Sequence, residues 1–465
     1  MEDTTFFDGR ITLKPGDCRE RLKSIPDNSI DAVVTDPPYA LVSIVKRFGA
    51  ENAAPATPKE GSAGAYARAS AGFMGKQWDT GETAFSEEFW ADVLRVLKPG
   101  GHVVAFSGTR TYHRMAVAIE DAGFEIRDQA AWTYGTGFPK SHNVSKAIDK
   151  HLGVDREVIG TETVANDMRN GSLSSGWKGE ENTAYTRDIT APGSPEAVEW
   201  DGWGTALKPA WEPICVARKP CAVPIDEPRD ADAPTRFRPA TVAENVMYWG
   251  TGALNLRACK IEAEKVTGWG GNAGGGKTWN ESNSGLGKDG APRPSEGRFP
   301  ANIITDGSAE VMEAFPETQS GELKASHGKS KPKTDNIFGS FAHNDTVGPY
   351  ADSGSAARFF YSAKADGDDR LGSNHPTVKP VDLMRWLVRL VCRKGGVVLD
   401  PFAGTGSTGA GAYWEGCDAI LIEREAEYQA DIAKRMRLIL AGPDEKKRAR
   451  TKLEAPQGLP LFSAL

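Results

Sequence analysis

The 465-residue sequence predicts an α/β fold with a doubly wound, mostly parallel sheet. Three observations predict it. Strand-like and helix-like segments alternate over the first 220 or so residues, the alternation resumes near Ala357, and two short apolar runs end in acidic turn motifs at Asp36 and Asp400.

In chain order, ITLKPGD (11–17) reads as a strand, CRERLKSIP (18–26) as a helix and IDAVVTD (30–36) as a second strand. SEEFWADVLRVLKPGG (86–101) is a helix with Ser86 as its N-cap and Glu87 and Glu88 in its positive first turn, stopped by Pro99-Gly100-Gly101. A strand, HVVAFSG (102–108), follows. RTYHRMAVAIEDAG (110–123) is a helix leading into FEIRDQAAWTYG (124–135), and PICVARKP (213–220) is the last strand candidate of this half. Between about Asp155 and Arg358 the periodicity weakens and Gly, Ser, Asn, Pro and Trp dominate, so this is inserted material. Regular structure returns with ARFFYSAKA (357–365), the helix VDLMRWLVRLVC (381–392), the strand GVVLD (396–400), a Gly-rich turn, the strand DAILIE (418–423) and the helix EYQADIAKRMRLIL (427–440).

The expected organisation is a split catalytic core. Residues 1–220 form its first part, with a mobile loop at 46–79 and an irregular insertion at about 155–205. Residues 221–356 form an insert, 357–440 the second part of the core and 441–465 a basic, flexible tail. The N-terminus lacks the layout of a signal peptide and no apolar run approaches the roughly 18 residues a membrane span needs, so a cytoplasmic location without a membrane partner is expected. Six scattered cysteines without a C-x-x-C pair argue for reduced, mostly buried thiols and against a disulfide framework or a zinc site. A net charge of −7 gives no global footprint for a polyanion. The basic clusters Lys324 to Lys333 and Lys446 to Lys452 do not establish DNA binding by themselves.

Two glycine-rich loops differ in context. Gly271 to Thr278 matches the letter of the phosphate-binding pattern G-x-x-x-x-G-K-[ST], but neither a buried strand nor a helix flanks it, so it reads as a polar loop. The second follows the apolar strand GVVLD and runs Asp400-Pro401-Phe402-Ala403-Gly404-Thr405-Gly406-Ser407. The next strand ends about twenty residues on in Glu423, where a carboxylate can accept both hydroxyls of a ribose. Nucleoside binding is the better reading of this strand, turn, helix, strand and terminal acid taken together.

In a doubly wound sheet the strand C-termini share one edge, which places Asp36 and Asp400 on one cleft. The prolines of Asp36-Pro37-Pro38-Tyr39 hold an extended, stiff backbone. A planar amino group can donate one hydrogen to Asp36 and one to the Pro37 carbonyl, while Tyr39 offers a face on which a base can stack.

These motifs resemble those of the DNA amino-methyltransferases that use S-adenosylmethionine, which share a D-P-P-Y catalytic motif and an F-x-G-x-G cofactor motif. The order, catalytic motif first and cofactor motif last, is that of the permuted group called beta class. Asn374-His375-Pro376-Thr377-Val378-Lys379-Pro380 is similar to the family's H-P-T-x-K-P element, and Gly16-Asp17 to its acidic residue at the cofactor adenine. The resemblance covers about Ile11 to Pro220 and Ala357 to Leu440. It implies a Rossmann-like methyltransferase sheet split by a target recognition insert at 221–356, S-adenosylmethionine as cofactor and double-stranded DNA as partner. Asp36, Pro37, Pro38 and Tyr39 would be catalytic. Asp17, His375, Thr377, Lys379, Asp400, Phe402, Gly404, Gly406, Ser407 and Glu423 would bind the cofactor, with no metal. The resemblance also admits a homodimer and a cognate restriction endonuclease.

The implied reaction is adenine-specific DNA methylation of the amino group of a flipped base, with Tyr39 replacing lost stacking. Phe73, Lys76 and Trp78 in the loop GFMGKQWD are candidates to close over that base, or are part of a plain packed loop. Cytosine-C5 chemistry would need a nucleophilic cysteine, and the Pro-Cys pair at Pro220-Cys221 sits in an ordinary turn. In this family D-P-P-Y goes mainly with adenine N6, so adenine is favoured over cytosine N4. A catalytically silent DNA-binding protein that kept the fold is the third reading.

Overall fold

A computed structural model describes residues 2–39, 83–135, 137, 141–164, 185–225, 235–261, 266–267, 294–295, 297–319, 353–363, 369–371, 373, 375, 377–442 and 445. Ten strands among them form the central sheet. They are β1 (Thr4–Phe6), β2 (Ile11–Pro15), β3 (Ile30–Thr35), β4 (Leu97–Phe106), β5 (Glu125–Thr133), β6 (Trp211–Arg218), β7 (Ile303–Thr305), β8 (Tyr361–Ser362), β9 (Val397–Asp400) and β10 (Asp418–Glu423). Their spatial order is β1-β2-β10-β9-β3-β4-β6-β5-β7-β8. The strands from the two ends of the sequence therefore interleave: β10 lies beside β2 and β9 beside β3, both parallel.

Helices cover both faces, as a doubly wound sheet requires. The labelled helices are α1 (Cys18–Leu22), α2 (Glu87–Val96), α3 (Tyr112–Asp121), α4 (Val144–Leu152), α5 (Val242–Trp249), α6 (Val381–Val391), α7 (Ser407–Trp414) and α8 (Ala426–Leu438). The period-2 alternation of strand side chains divides the core in two. Val33, Val103 and Ala105 pack with Leu22 of α1, Phe89, Trp90 and Val93 of α2 and Met115 and Ile119 of α3. Ala32, Val34, Val104 and Phe106 face the opposite way, toward Leu383, Leu387 and Val388 of α6 and Ile432 and Met436 of α8. Each fully buried large apolar side chain contributes on the order of 2 kcal/mol.

Local chemistry sets the helix ends. The Ser86 hydroxyl accepts from the Phe89 N–H at 3.2 Å and starts α2 as expected. That helix ends at Val96, however, and Pro99-Gly100-Gly101 lies inside β4 rather than between helix and strand. The physical reason is a bulge. Ile30 pairs with Leu97 and Ala32 with His102, so the extra β4 residues are looped out, and Gly100 at φ +76° supplies the left-handed conformation this needs.

A second difference concerns direction. β6, the strand at PICVARKP, runs antiparallel to both neighbours, β4 and β5. The remaining interior strands are mutually parallel, so the sheet is mostly parallel as predicted. Regular structure also appears where periodicity was weak: Val158–Val164 and Tyr185–Thr190 form an antiparallel hairpin, and β7 adds to β5 in parallel. α5 begins with a Thr241/Glu244 capping box. Its buried Asn245 donates to the carbonyls of Pro99 at 2.9 Å and Thr251 at 2.8 Å, tying this helix to the start of β4.

The two halves of the sequence also meet through Asp31, which is 2% exposed. Its carboxylate accepts from Lys98 Nζ at 2.8 Å and from the Val397 N–H at 2.9 Å. Asp31→Ala strips both donors of their acceptor and should cost about 2 to 4 kcal/mol. A lower urea midpoint at unchanged slope is the expected reading.

Candidate active site

A cleft of about 1480 Å³ opens along the C-terminal edge of the parallel strands. Asp17, Asp36, Pro37, Pro38, Tyr39, His375, Thr377, Lys379, Asp400, Phe402, Gly404, Ser407 and Glu423 all line it. Gly406 does not: it is the N-cap of α7, in the left-handed conformation at φ +78°. Phe73, Lys76, Trp78 and the loop 46–79 lie outside the described residues, as do Gly271 to Thr278 and both basic clusters.

At the end of β3, Asp36 Oδ2 accepts from Lys379 Nζ at 2.5 Å, whereas its Oδ1 is buried and has no hydrogen-bond partner among the described residues. Tyr39 is fastened at both ends. Its carbonyl accepts from the Thr111 hydroxyl at 2.8 Å, and its own hydroxyl donates to Glu212 at 2.8 Å. Burial raises the Tyr39 pKa well above the ordinary phenol value, and the neighbouring Asp36 and Glu212 carboxylates push the same way.

Lys379, grouped with cofactor residues from the sequence, points at Asp36 and Tyr39. Besides Asp36 it reaches the Tyr39 hydroxyl at 3.1 Å and Glu212 at 3.2 Å. Burial opposes its charge, but Asp36 and Glu212 outweigh that and hold its pKa above the usual lysine value. Glu212 is the site residue that sequence reasoning missed. It is the second residue of β6, two positions before the fully buried Ile214, and a parallel strand would have put it at the far edge of the sheet.

The turn after β9 forms the other wall. Asp400 is fully enclosed and accepts from the hydroxyls of Thr35 and Thr408, both at 2.6 Å, and from the Phe402 N–H at 3.1 Å. Burial pushes its pKa up to about 6 despite those bonds. Gly404, at φ +51°, passes so close to His375 that a Cβ would stand 3.2 Å from the ring. His375 packs edge-on against Tyr428, and burial lowers its pKa to about 4, which keeps the ring neutral.

Glu423 ends β10 with one carboxylate oxygen accepting from the Gly404 N–H and the other from the Glu425 N–H, each at 2.8 Å. Burial raises its pKa to about 7. A carboxylate has about four acceptor positions, so two remain for a pair of hydroxyl donors. Asp17 stands at the rim as the N-cap of α1, where hydrogen bonds from the Arg19 side chain hold its carboxyl below the ordinary range.

The six cysteines carry free thiols, and Cys221 is not among the residues lining the cleft. No group of three or more His, Cys, Asp or Glu with metal-holding geometry occurs among the described residues. No described helix is long and apolar enough to cross a membrane.

The N6_N4_Mtase family model, described as DNA methylase, matches residues 30–435. The chain belongs to that family. It is 37% identical over 83 residues to the type II methyltransferase M.HinfI of Haemophilus influenzae, covering 18% of this chain and 23% of that protein. It is 46% identical over 55 residues to the DNA adenine methyltransferase YhdJ of Escherichia coli K12, covering 12% and 19%. The matched stretches thus span about a fifth of the length of these relatives. Among solved structures it is similar to the cytosine-N4-specific PvuII DNA methyltransferase, at 13% identity and a TM-score of 0.36 over 95% of this chain and 92% of that one. It is also similar to the M1.HpyAVI–SAM complex, at 13% identity and a TM-score of 0.32 over 91% and 98%.

The raised pKa of Asp400 has a definite sign for stability. Folding favours its neutral form, so this group's contribution is present below about 3.8 and is lost as pH rises toward about 6. Asp400→Asn keeps an oxygen for Thr35 and the Phe402 N–H and an amide for Thr408, and it does not titrate. Its stability relative to the wild type is expected to fall by about 2 kcal/mol between pH 7 and pH 4.5, as measured by urea unfolding at the two values.

Proposed function

We propose that this DNA methylase is site-specific and moves a methyl group from S-adenosylmethionine to the N6 amino group of an adenine flipped out of double-stranded DNA, with residues 221–356 contributing target recognition. The observation that carries this reading is Asp36 Oδ1, a buried acceptor without a partner among the described residues, at the edge of a cleft built from the D-P-P-Y segment. A primary aromatic amine supplies the missing donor, with its second hydrogen directed to the Pro37 carbonyl. Lys379 already occupies Oδ2, so the incoming amine is directed to Oδ1.

The cleft volume of about 1480 Å³ exceeds the range of roughly 300 to 1,000 Å³ usual for one small ligand and supports two. The donor and acceptor set also fits an adenosyl cofactor. Glu423 retains acceptor capacity for ribose hydroxyls, and Gly404, Phe402 and Asp17 line the same cleft. Bound there, S-adenosylmethionine would supply a methyl whose bond to the positive sulfur breaks with its electron pair left on sulfur.

The protein's own contribution is placement and charge. The exocyclic nitrogen is a poor nucleophile because its lone pair is delocalised into the ring. Acceptance of its hydrogens by Asp36 and Pro37 favours the pyramidal nitrogen, whose lone pair is available. As that pair forms the new bond the nitrogen becomes cationic, and one of its two hydrogens must leave as a proton, for which Asp36 Oδ1 is the adjacent acceptor. Tyr39, pinned by Thr111 and Glu212, offers a fixed ring for stacking in place of the duplex neighbours. Aspartate at position 36 and the adenine-methylating relative both favour N6 over cytosine N4.

Wild-type protein should incorporate labelled methyl into unmodified plasmid DNA, and Asp36→Ala should reduce the rate at least 10² to 10³-fold. Equal incorporation by the two would end the enzyme reading, and sequencing the product for modified bases separates N6-methyladenine from N4-methylcytosine. Cofactor affinity should depend on Glu423, which ionises at about 7 in the free protein. Hydroxyl donors favour the carboxylate, so the dissociation constant measured by calorimetry should rise about tenfold from pH 8 to pH 6. Glu423→Gln should bind more weakly throughout and lose most of that slope.

A further inference from the structure

Glu212 enters the transfer as derived above only by pinning Tyr39, yet it also stands inside the cleft against the catalytic aspartate's counterion. Lys379, 4% exposed, donates to Asp36 at 2.5 Å and lies 3.2 Å from the Glu212 carboxylate. The Phe106 ring centre stands 4.8 Å from its ammonium, which has little water to share its charge. Tyr39 closes the ring of contacts by donating to Glu212 at 2.8 Å.

An ammonium held by one carboxylate cancels that carboxylate's charge. An ammonium shared by two leaves one net negative charge, and here the free oxygen that expresses it is Asp36 Oδ1. We propose that Glu212 is a positioning residue that draws Lys379 into a shared pair, so that Asp36 keeps both its orientation and an uncancelled negative charge toward the base amino group. The proposal rests on the methyl-transfer reading and deepens it. Its chemical sense lies in the nitrogen, which is neutral before transfer and cationic afterwards until it sheds a proton. A net charge of −1 beside it favours the later state over the earlier one, whereas a neutral pair does not. The arrangement also explains why a lysine is tolerated against the catalytic aspartate.

The titratable groups facing Asp36 come from several elements. They are Tyr39 on its own segment, Lys379 and His375 ahead of α6 and Asp400 on β9, with Glu212 of β6 reached through Lys379 and Tyr134, beyond β5, facing Glu212. Two charge-changing variants separate these influences. Glu212→Gln is nearly isosteric and keeps an oxygen for the Tyr39 hydroxyl, but it takes the cluster from −1 to neutral. Lys379→Met leaves Asp36 and Glu212 with nothing between them, at −2, and combining both substitutions restores −1.

The test is single-turnover transfer of labelled methyl from S-adenosylmethionine to unmodified plasmid DNA across pH 5.5 to 9, with cofactor binding followed by calorimetry. Glu212→Gln should lower the transfer rate roughly tenfold or more with cofactor affinity within about twofold of wild type. Lys379→Met should shift the acid limb of the pH profile upward, because two adjacent carboxylates resist joint ionisation. The double variant should bring that limb back and transfer faster than Lys379→Met alone, a coupling that a purely structural part for Glu212 would not produce. A Glu212→Gln rate and pH profile equal to wild type overturns the proposal, as do losses that simply multiply in the double variant. Loss of cofactor binding in Glu212→Gln together with its rate also overturns it, by assigning Glu212 to the fold. Absence of transfer by the wild type overturns the methyl-transfer reading itself and the proposal with it, an outcome distinct from an active wild type with an indifferent Glu212.

Discussion

The structure hangs on the parallel pairing of β9 with β3, where Val398 lies against Ala32 and Leu399 against Val33. Residues some 365 positions apart are held in register there, and every cross-chain bond of the cleft follows from it. Thr35 can reach Asp400 only because both strands end at the same level. The segment ahead of α6 can bring Lys379 onto Asp36 only because α6 packs its apolar face over β3 and β4. Parallel strands put their C-termini on one edge, and that elementary constraint turns two remote acidic motifs into one site.

Within that site, environment rather than residue type separates the carboxylates. Asp17 is partly open and bonded to Arg19, so it stays ionised. Asp400 is enclosed and spends its acceptors on two threonines and a backbone N–H, which makes it a tie between strands more than a reactive group. Glu423 is buried but has acceptor capacity left, suited to neutral hydroxyl donors. Asp36 keeps one free oxygen and one held by a lysine. Four acids on one sheet edge thus have four distinct chemistries.

Much of this was legible in the sequence because its signals are local. Apolar runs ending in Asp36 and Asp400 carried the strand ends, Ser86 and two glutamates carried the start of α2, and Glu423, the acid that ends DAILIE, carried the far side of the nucleoside-type wall. What escaped depends on partners distant in sequence. The direction of β6 is set by the neighbours it lies between, and only its antiparallel course brings Glu212 to the cleft edge. The bulge in β4 moved a helix end by a few residues because Pro99 to Gly101 could be absorbed opposite Asp31. β7, only three residues long, has too little pattern to be read, and β5 recruits it through backbone bonds that carry no side-chain signature. Asn245 carries no local signature, because the Pro99 carbonyl to which its amide donates lies 146 positions away in the sequence.

The interleaving of strands also has a consequence for synthesis. Between β2 and β3 lies a slot two strands wide, filled by β10 and β9, which the ribosome makes only after more than 350 further residues. At roughly 5 to 20 residues per second that gap stays open for about 20 seconds or longer. Throughout that interval Ile11, Leu13, Ala32 and Val34, all buried in the finished protein, border an unpaired backbone edge. The arrival of β9 and β10 therefore acts as a keystone that completes the sheet and the cleft in the same event.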